Sequence, residues 1–400
     1  MRTRSLITAV TLLALALAPV LWPSGLALSL LSQVGIAMIA CLSFNVLLGQ
    51  GGMLSFGHAV YTGAGAYLAI GTLRWMAAGE GSVPVSLIPL IGGIAGAVLA
   101  MVLGYLSTRK SGLGLAMITL AIGELVWALA LMLPELFGGE GGITANRVQG
   151  PPTFGVSFGG QREVYALIVV YAFAVIVLAH AFTRTPLGRL LNAVRDNATR
   201  VRFLGYDDRW VRYLAFVFAG FLAGVAGGLS ALHLEIVSAD AFGATRSAAF
   251  LVFVVIGGAT LFWGPLIGAV LLVVSQAGLA VLTPAALLYT GLAFVLAVIF
   301  APTGLAGAAQ AQWRVGRALG WRVWLETRAL SLSASALVLV GGVALIEMAY
   351  HRASATAALD LRLLGVHLNS AAVWPWLVAA AALSLGIALL VWRRSGSAPT

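Results

Sequence analysis

Apolar runs long enough to cross a bilayer recur along most of this chain. They fall near 6–22, 28–48, 54–77, 85–106, 113–136, 163–182 and 211–234, followed by a longer stretch at 248–300 and late runs near 329–350 and 373–392. About twenty helical residues rise ~30 Å, the thickness of the hydrocarbon core, so the pattern predicts an all-α polytopic membrane protein. One polar island breaks it, residues 183–212, reading TRTPLGRLLNAVRDNATRVRFLGYDDRWVR. Seven arginines sit there with Asp196, Asp207 and Asp208. Leu187, Leu190, Leu191, Val194, Ala198 and Val201 recur at helical spacing, while Arg189, Asn192, Asp196 and Arg200 fall mostly off that face. Thr185 is a candidate N-cap, Pro186 fits the first helical position and Gly205 suits a left-handed end. The island therefore predicts a short amphipathic helix between two spans. Its arginines serve topology on one reading. On the other, the capped helix docks a soluble partner and receives force from it.

Arginine placement orients the spans, because basic residues concentrate on the cytoplasmic side. Arg2 and Arg4 put the N-terminus inside. The Arg109–Lys110 turn and the island then fall inside, and the Gly-rich loop 137–162 outside. The cluster Arg314, Arg317, Arg322, Arg328 and the pair Arg393–Arg394 belong inside as well. An odd number of crossings must then lie between residue 234 and about residue 305. Three short ones fit 248–300, broken near Gly257-Gly258 and Thr283-Pro284, for ten crossings to residue 300 and twelve in all. This orientation puts 17 Lys and Arg residues inside and six outside.

Composition agrees with a membrane protein: 61% hydrophobic, 9% charged and a mean hydropathy of +1.01. The 48 glycines suit close helix packing in lipid. A net charge of +10 raises nucleic acid as a partner, but Lys110 is the one lysine among 23 basic residues and most arginines sit at span ends. Topology explains them, and no nucleic-acid partner is expected. Cys41 is alone and lies within a span, so it forms no internal disulfide and no metal framework exists. Pro19 is a poor residue just after the small-residue site Ala16–Ala18, so the first run reads as an uncleaved span rather than a signal peptide.

Two glycine-rich breaks look alike. Gly51-Gly52-Met53-Leu54-Ser55-Phe56-Gly57-His58 is followed by Gly63 and Gly65, and Gly257-Gly258 through Trp263-Gly264-Pro265 is followed by Gly268. Broken helices at membrane depth survive only where they are buried or line a cavity, and paired breaks point to a transport path. Asn45, Ser55, His58, Thr119 and Glu124 are the polar candidates along it. Glu124, mid-span, should face the bundle interior, as path lining or as a brace. His58 reads as a helix brace or a path residue, and Asn45 as a group that satisfies freed backbone. Glu347 reads as interfacial, and Trp263, Trp313, Trp321, Trp324, Trp374 and Trp376 as packing or interface anchors.

Absences narrow the class. No H-E-x-x-H, G-x-S-x-G or Walker A motif occurs, and Lys110 follows Arg109 rather than Gly. The chain is therefore expected to be no enzyme and to hydrolyse no ATP itself. An ion-driven carrier usually needs several buried carboxylates, and only Glu124 lies deep. A pathway driven by something docked at the island fits best. A self-contained ion-coupled carrier is the rival, and a non-transporting scaffold is a third reading.

These residues also carry a family resemblance. The run from Asn45 to His58, continuing to Gly65-Ala66-Tyr67, the segment Ile118 to Glu124, the loop Gly138 to Thr144, the stretch Gly188 to Asn197 through Leu204-Gly205, and Gly257 to Pro265 with Phe300 to Gly304 follow in order. Together they resemble the permease subunits of branched-chain amino-acid ABC importers, specifically the second of the two paired permeases. The resemblance covers about 28–306. It implies a permease core of about ten helices in the bacterial plasma (inner) membrane, with the N-terminus cytoplasmic. It implies two partner ABC ATPases that hydrolyse the ATP, a second permease, a periplasmic or extracellular solute-binding protein, and no cofactor on this chain. It makes the 186–205 helix the ATPase-coupling element, with Gly188, Arg189, Arg195, Asp196, Asn197 and Gly205 as its residues. Leu190, Leu191 and Val194 would pack into the ATPase groove or onto the bundle. Substrates of this class include branched-chain and other apolar amino acids, and in related permeases urea, short amides or aromatic acids.

The chain divides into a first span (1–27), the core (28–306, with the coupling loop 183–212) and an extension (307–400). The extension departs from the family. It adds an Arg- and Trp-rich segment, two further spans and an external stretch with Asp360 and Arg362.

Overall fold

The computed structural model describes residues 24–149, 156–353, 360–363, 366–369 and 372–395. The run near 6–22, with Arg2 and Arg4, lies outside them. Helix α1 (Gly25–Asn45) runs into a π-turn, Val46–Gln50, and then a non-helical stretch to His58. There follow α2 (Ala59–Ala77), α3 (Ile88–Ser107), α4 (Leu113–Met132), α5 (Gln161–Arg184), α6 (Pro186–Phe203) and α7 (Asp208–Leu234). Next come α8 (Ala244–Gly257), α9 (Gly264–Val273) continued by a π-turn to Leu279, α10 (Ala286–Phe300), α11 (Gly304–Leu319), α12 (Trp321–Ala353) and α13 (Val373–Ser395). Two short antiparallel pairs complete the list: β1 (Ile143–Thr144) with β2 (Ile236–Val237), and β3 (Asp360–Leu363) with β4 (Val366–Asn369).

The described chain forms two compact units, one running up to Gly278 together with Leu292–Gly307, the other comprising Leu279–Gly291 and the residues from Ala308. The first is built around α7, which packs on α1, α2 and α3. Glycines set that geometry. A Cβ at Gly224 would overlap the carbonyl oxygen of Gly92, one at Gly65 would overlap the Gly224 carbonyl, and one at Gly227 would overlap the Thr62 carbonyl. In lipid, apolar side chains gain little from meeting each other, so close backbone approach and the dispersion contacts it permits hold the helices together. Arg147 closes the outer side. Its guanidinium donates to the carbonyls of Phe158 (2.9 Å), Leu232 (3.1 Å) and Gly159 (3.1 Å), tying the loop to the last turn of α7.

Seven described helices are long and apolar enough to span a membrane, or eight if the bent pair 286–300 and 304–318 counts as one. That establishes a polytopic α-helical protein but is fewer than twelve crossings. Helix α2 misses on hydropathy because it sits among other helices rather than in lipid, and α8 and α9 are short. The breaks in 248–300 fall where expected, after Gly257 and around Thr283. However, fourteen-residue α8 rises only ~21 Å and does not cross a ~30 Å core by itself. Segments far apart in the chain meet in two places: β1 pairs with β2, and Gly304 packs on Gly258.

In the second unit α12 and α13 cross where Gly341 meets the backbone of Ala379 and Leu383, and Gly386 that of Ala334 and Val338. Glu347, read as interfacial, is instead buried at 9% exposure and accepts from Tyr289 Oη at 2.9 Å. A long carboxylate inside a helix pair is tolerated once a hydroxyl satisfies it.

Candidate functional site: a broken span held by an amphipathic helix

Helix α6 begins as its sequence requires. Thr185 Oγ1 accepts from Gly188 N at 3.1 Å and Pro186 occupies the first turn. It is two helices rather than one. Asn197 adopts φ −160°, ψ 95°, and its Oδ1 accepts from Arg200 N at 2.9 Å, so it ends the first piece and caps the second. Gly205 closes the segment in the left-handed region, φ +86°. Leu191, Val194 and Val201 are buried in the core cluster of the first unit, with Leu187, Leu190 and Ala198 partly buried against it. The apolar stripe thus packs onto the bundle.

The polar side of α6 holds the first glycine break. Arg195 Nη1 donates to the Gly49 carbonyl. Asn192 Nδ2 donates to Gln50 Oε1 and to the Gly188 carbonyl, both at 3.0 Å. The fit is close: a Cβ on Gly51 would lie 3.1 Å from Leu191 Cδ1, and one on Gly52 2.7 Å from Arg195 Cγ. Gly52 also has φ +61°, where a side chain is strained. Arg195 pairs in addition with Asp196 at 3.0 Å. Arg195 therefore faces the break, while Arg189, Asp196 and Asn197 remain exposed. Beyond Gly205 a second link appears. Asp208, buried, pairs with Arg212 on its own helix at 2.8 Å and with Arg202 of α6 at 3.2 Å.

The two breaks touch. A Cβ on Gly49 would overlap both the Ala259 carbonyl and Asn45 Oδ1. Gly258, at φ +117°, turns the chain from α8 toward α9, which Pro265 helps to start. Gly257 and Gly264 lie against each other, each without room for a side chain.

Deeper in, the chain from Ser55 to His58 crosses α4. Thr119 Oγ1 accepts from Phe56 N at 3.2 Å and donates to the Ala116 carbonyl at 3.0 Å. A Cβ on Gly57 would overlap the Thr119 carbonyl. His58 is fully buried. Ser43 Oγ donates its one proton to the Ala219 carbonyl (2.8 Å), so the Ser43 oxygen accepts from His58 Nε2–H (2.7 Å). This bridge joins α1, the break and α7, and leaves His58 Nδ1 as an acceptor. Asn45 Oδ1, Ser55 Oγ and His58 Nδ1 are all buried without a hydrogen-bond partner among the described residues. Three orphan polar atoms along one break are costly.

Glu124 does not face the interior of this chain. It is exposed on α4 and has no hydrogen bond or ion pair among the described residues. The burial of Thr119, Gly123 and Ala130 against the core turns the opposite face of α4 outward, and Glu124 goes with it. Two open clefts flank this region. An apolar one of about 910 Å³ is lined by Tyr67, Leu99, Val126, Phe137 and Phe242. A polar one of about 690 Å³, toward the outer side, is lined by Arg74, Thr144, Asn146 and Glu235. The sequence reading missed the outer clasp of Arg147 and the exposed Phe203, Leu204 and Tyr206 at the end of α6. Its one available signal was apolar residues among arginines after the amphipathic stripe ends.

The family described as "Branched-chain amino acid transport system / permease component" matches residues 26–302. The high-affinity branched-chain amino acid transport system permease protein LivM of Escherichia coli K12 is 30% identical over 320 residues, 74% of each chain, and its Salmonella typhimurium counterpart gives the same figures. A probable LivM of Methanocaldococcus jannaschii is 27% identical over 240 residues, covering 52% of this chain and 68% of that protein. No solved structure matches the chain significantly. With the matched region spanning both glycine breaks and the amphipathic helix α6 that holds the first of them, the chain belongs to the branched-chain amino-acid ABC transport permease family and is a transport component rather than an enzyme.

Proposed function

We propose that this chain is one of two paired permeases of an ATP-driven importer in the plasma (inner) membrane, carrying branched-chain or other apolar amino acids. The first unit is the permease core, of about ten helices, and the 307–400 extension adds two spans. One of the two partner ABC ATPases docks on the exposed side of α6, at Arg189, Asp196, the Asn197 kink and Phe203, and the other on the second permease. A solute-binding protein delivers substrate at the outer side, and the chain itself binds no cofactor.

The observation that carries this reading is the linkage of α6. Its outer face is free, while its inner face grips the first break through Arg195 and Asn192 and α7 through Arg202 and Asp208. A push on such a helix moves a broken span and the central helix together. Glu124 supports the pairing. A carboxylate at mid-membrane depth costs several kcal/mol against lipid, so its face of α4 belongs against a second permease or a water-filled path.

The test is to isolate the tagged chain from native membranes in mild detergent, identify its companions by mass spectrometry, and reconstitute the complex in vesicles. Leucine uptake that needs ATP, with two P-loop ATPases and a second permease recovered, supports the proposal. Uptake by the chain alone, abolished by collapsing an ion gradient, overturns it.

A further inference from the structure

Helix α12 is too long for the membrane it crosses. Its 33 residues rise ~50 Å against a ~30 Å core, and the apolar part begins near residue 329. The turns around 321–328 therefore project into the headgroup region. Gly320, φ +83°, reverses the chain between α11 and α12. A Cβ on Gly316 would lie 2.6 Å from the Trp321 ring, so only glycine lets the two helices close on each other. The turn is filled by indoles. Trp313 and Trp321 meet edge to face at 5.2 Å, Trp321 and Trp324 at 5.8 Å, and Trp324 Nε1 donates to Gln312 Oε1 at 3.2 Å.

Three arginines share this turn. Arg317 lies over the Trp313 ring at 5.2 Å, and Arg314 and Arg322, next in sequence to Trp313 and Trp321, are exposed. No ion pair among the described residues engages any of them, and Glu326 is the one acid between residues 308 and 330. Indoles prefer the headgroup level, and arginine forks match phosphate oxygens. The positive-inside rule puts this turn at the cytoplasmic leaflet, which carries the anionic lipids.

We propose that the α11–α12 turn is a binding site for the phosphate headgroup of an anionic phospholipid in the inner leaflet. The indoles set its depth and Arg314, Arg317 and Arg322 take the phosphate. The extension thereby fastens the chain to anionic membrane.

The experiment uses the full chain in nanodiscs of mixed phosphatidylglycerol and phosphatidylcholine, released and read by native mass spectrometry. The wild-type chain should retain phosphatidylglycerol in preference to phosphatidylcholine. The variant R314Q/R317Q/R322Q should retain it at least ~tenfold less, and R314K/R317K/R322K should keep most of it. An unchanged preference in the glutamine variant overturns the site. A second measurement needs no variant: raising salt from ~0.05 M to ~0.5 M must weaken the wild-type preference, since headgroup attraction is screened. A preference indifferent to salt, or none for either lipid, also overturns it.

Discussion

The guanidinium of Arg195 donates to the backbone carbonyl of Gly49. The amphipathic helix α6 thus holds a membrane span at the turn where that span stops being regular. The π-turn has displaced the usual pairing there: Met53 N, which in a regular helix would bond Gly49 O, bonds Leu47 O instead. The Gly49 carbonyl is left for a side chain to satisfy, and a charge-assisted bond of this kind contributes ~1.5–3 kcal/mol.

Arg195→Ala should leave the chain in the membrane, lower its thermal midpoint by a few degrees and abolish transport while the partner ATPases still hydrolyse ATP. Within this chain Asp196→Ala removes an exposed ion pair and should change stability by less than ~1 kcal/mol. Parallel thermal melts separate the two. Equal losses of stability would show that Arg195 acts through Asp196 and not through Gly49.

Asp208→Asn leaves Arg212 buried with its charge uncompensated and releases Arg202 from α7. Removing one member of a buried pair costs about 3 kcal/mol. The variant should melt well below wild type in detergent, and Arg202→Gln, which removes the exposed partner, should melt close to it.

Gly224→Ala forces a Cβ into the Gly92 carbonyl and should destabilise by at least ~1–3 kcal/mol, because backbone cannot step aside as a side chain can. Gly71→Ala, in a helix with nothing within 4 Å of the new atom, should be neutral or stabilising by up to ~1 kcal/mol. Detergent melts of both variants decide whether glycine contact or glycine content holds the α2–α3–α7 core.

Ser43→Ala and His58→Gln should show a coupling energy of ~0.5–3 kcal/mol in a double-mutant cycle, since one hydroxyl relays His58 to Ala219. Strict additivity would remove the bridge.

Glu124→Gln should leave the melting of the isolated chain within ~0.5 kcal/mol of wild type, as no described group pairs with it. Uptake by the assembled importer should fall. A large loss of stability in the isolated chain would place the carboxylate in this chain's own packing.

Much of the site was legible because its signals are local. Thr185, Pro186 and Gly205 mark the ends of α6 through backbone geometry that depends on near neighbours alone. The period of Leu187 to Val201 shows which face is apolar, and the glycine runs mark where the spans break. The direction each polar group takes was not legible. Arg195 and Arg189 lie on one short helix and read alike, yet one turns to Gly49 and the other to water. Glu124 reads as an interior group because a lone chain should hide its carboxylate, and only the burial of Thr119 and Gly123 shows that this chain has its other face outward.

Hydrophobic run length determined, from sequence alone, that this is a polytopic helical protein, and arginine placement with helical period picked out its amphipathic helix. Hydrocarbon thickness and membrane charge asymmetry act on each segment independently. Tertiary structure decided what needs two distant segments at once: Gly224 against Gly92, Ser43 between His58 and Ala219, Gly49 between Ala259 and Arg195. Close backbone approach and a shared proton are properties of pairs, and pairs between separate segments leave no period in the chain.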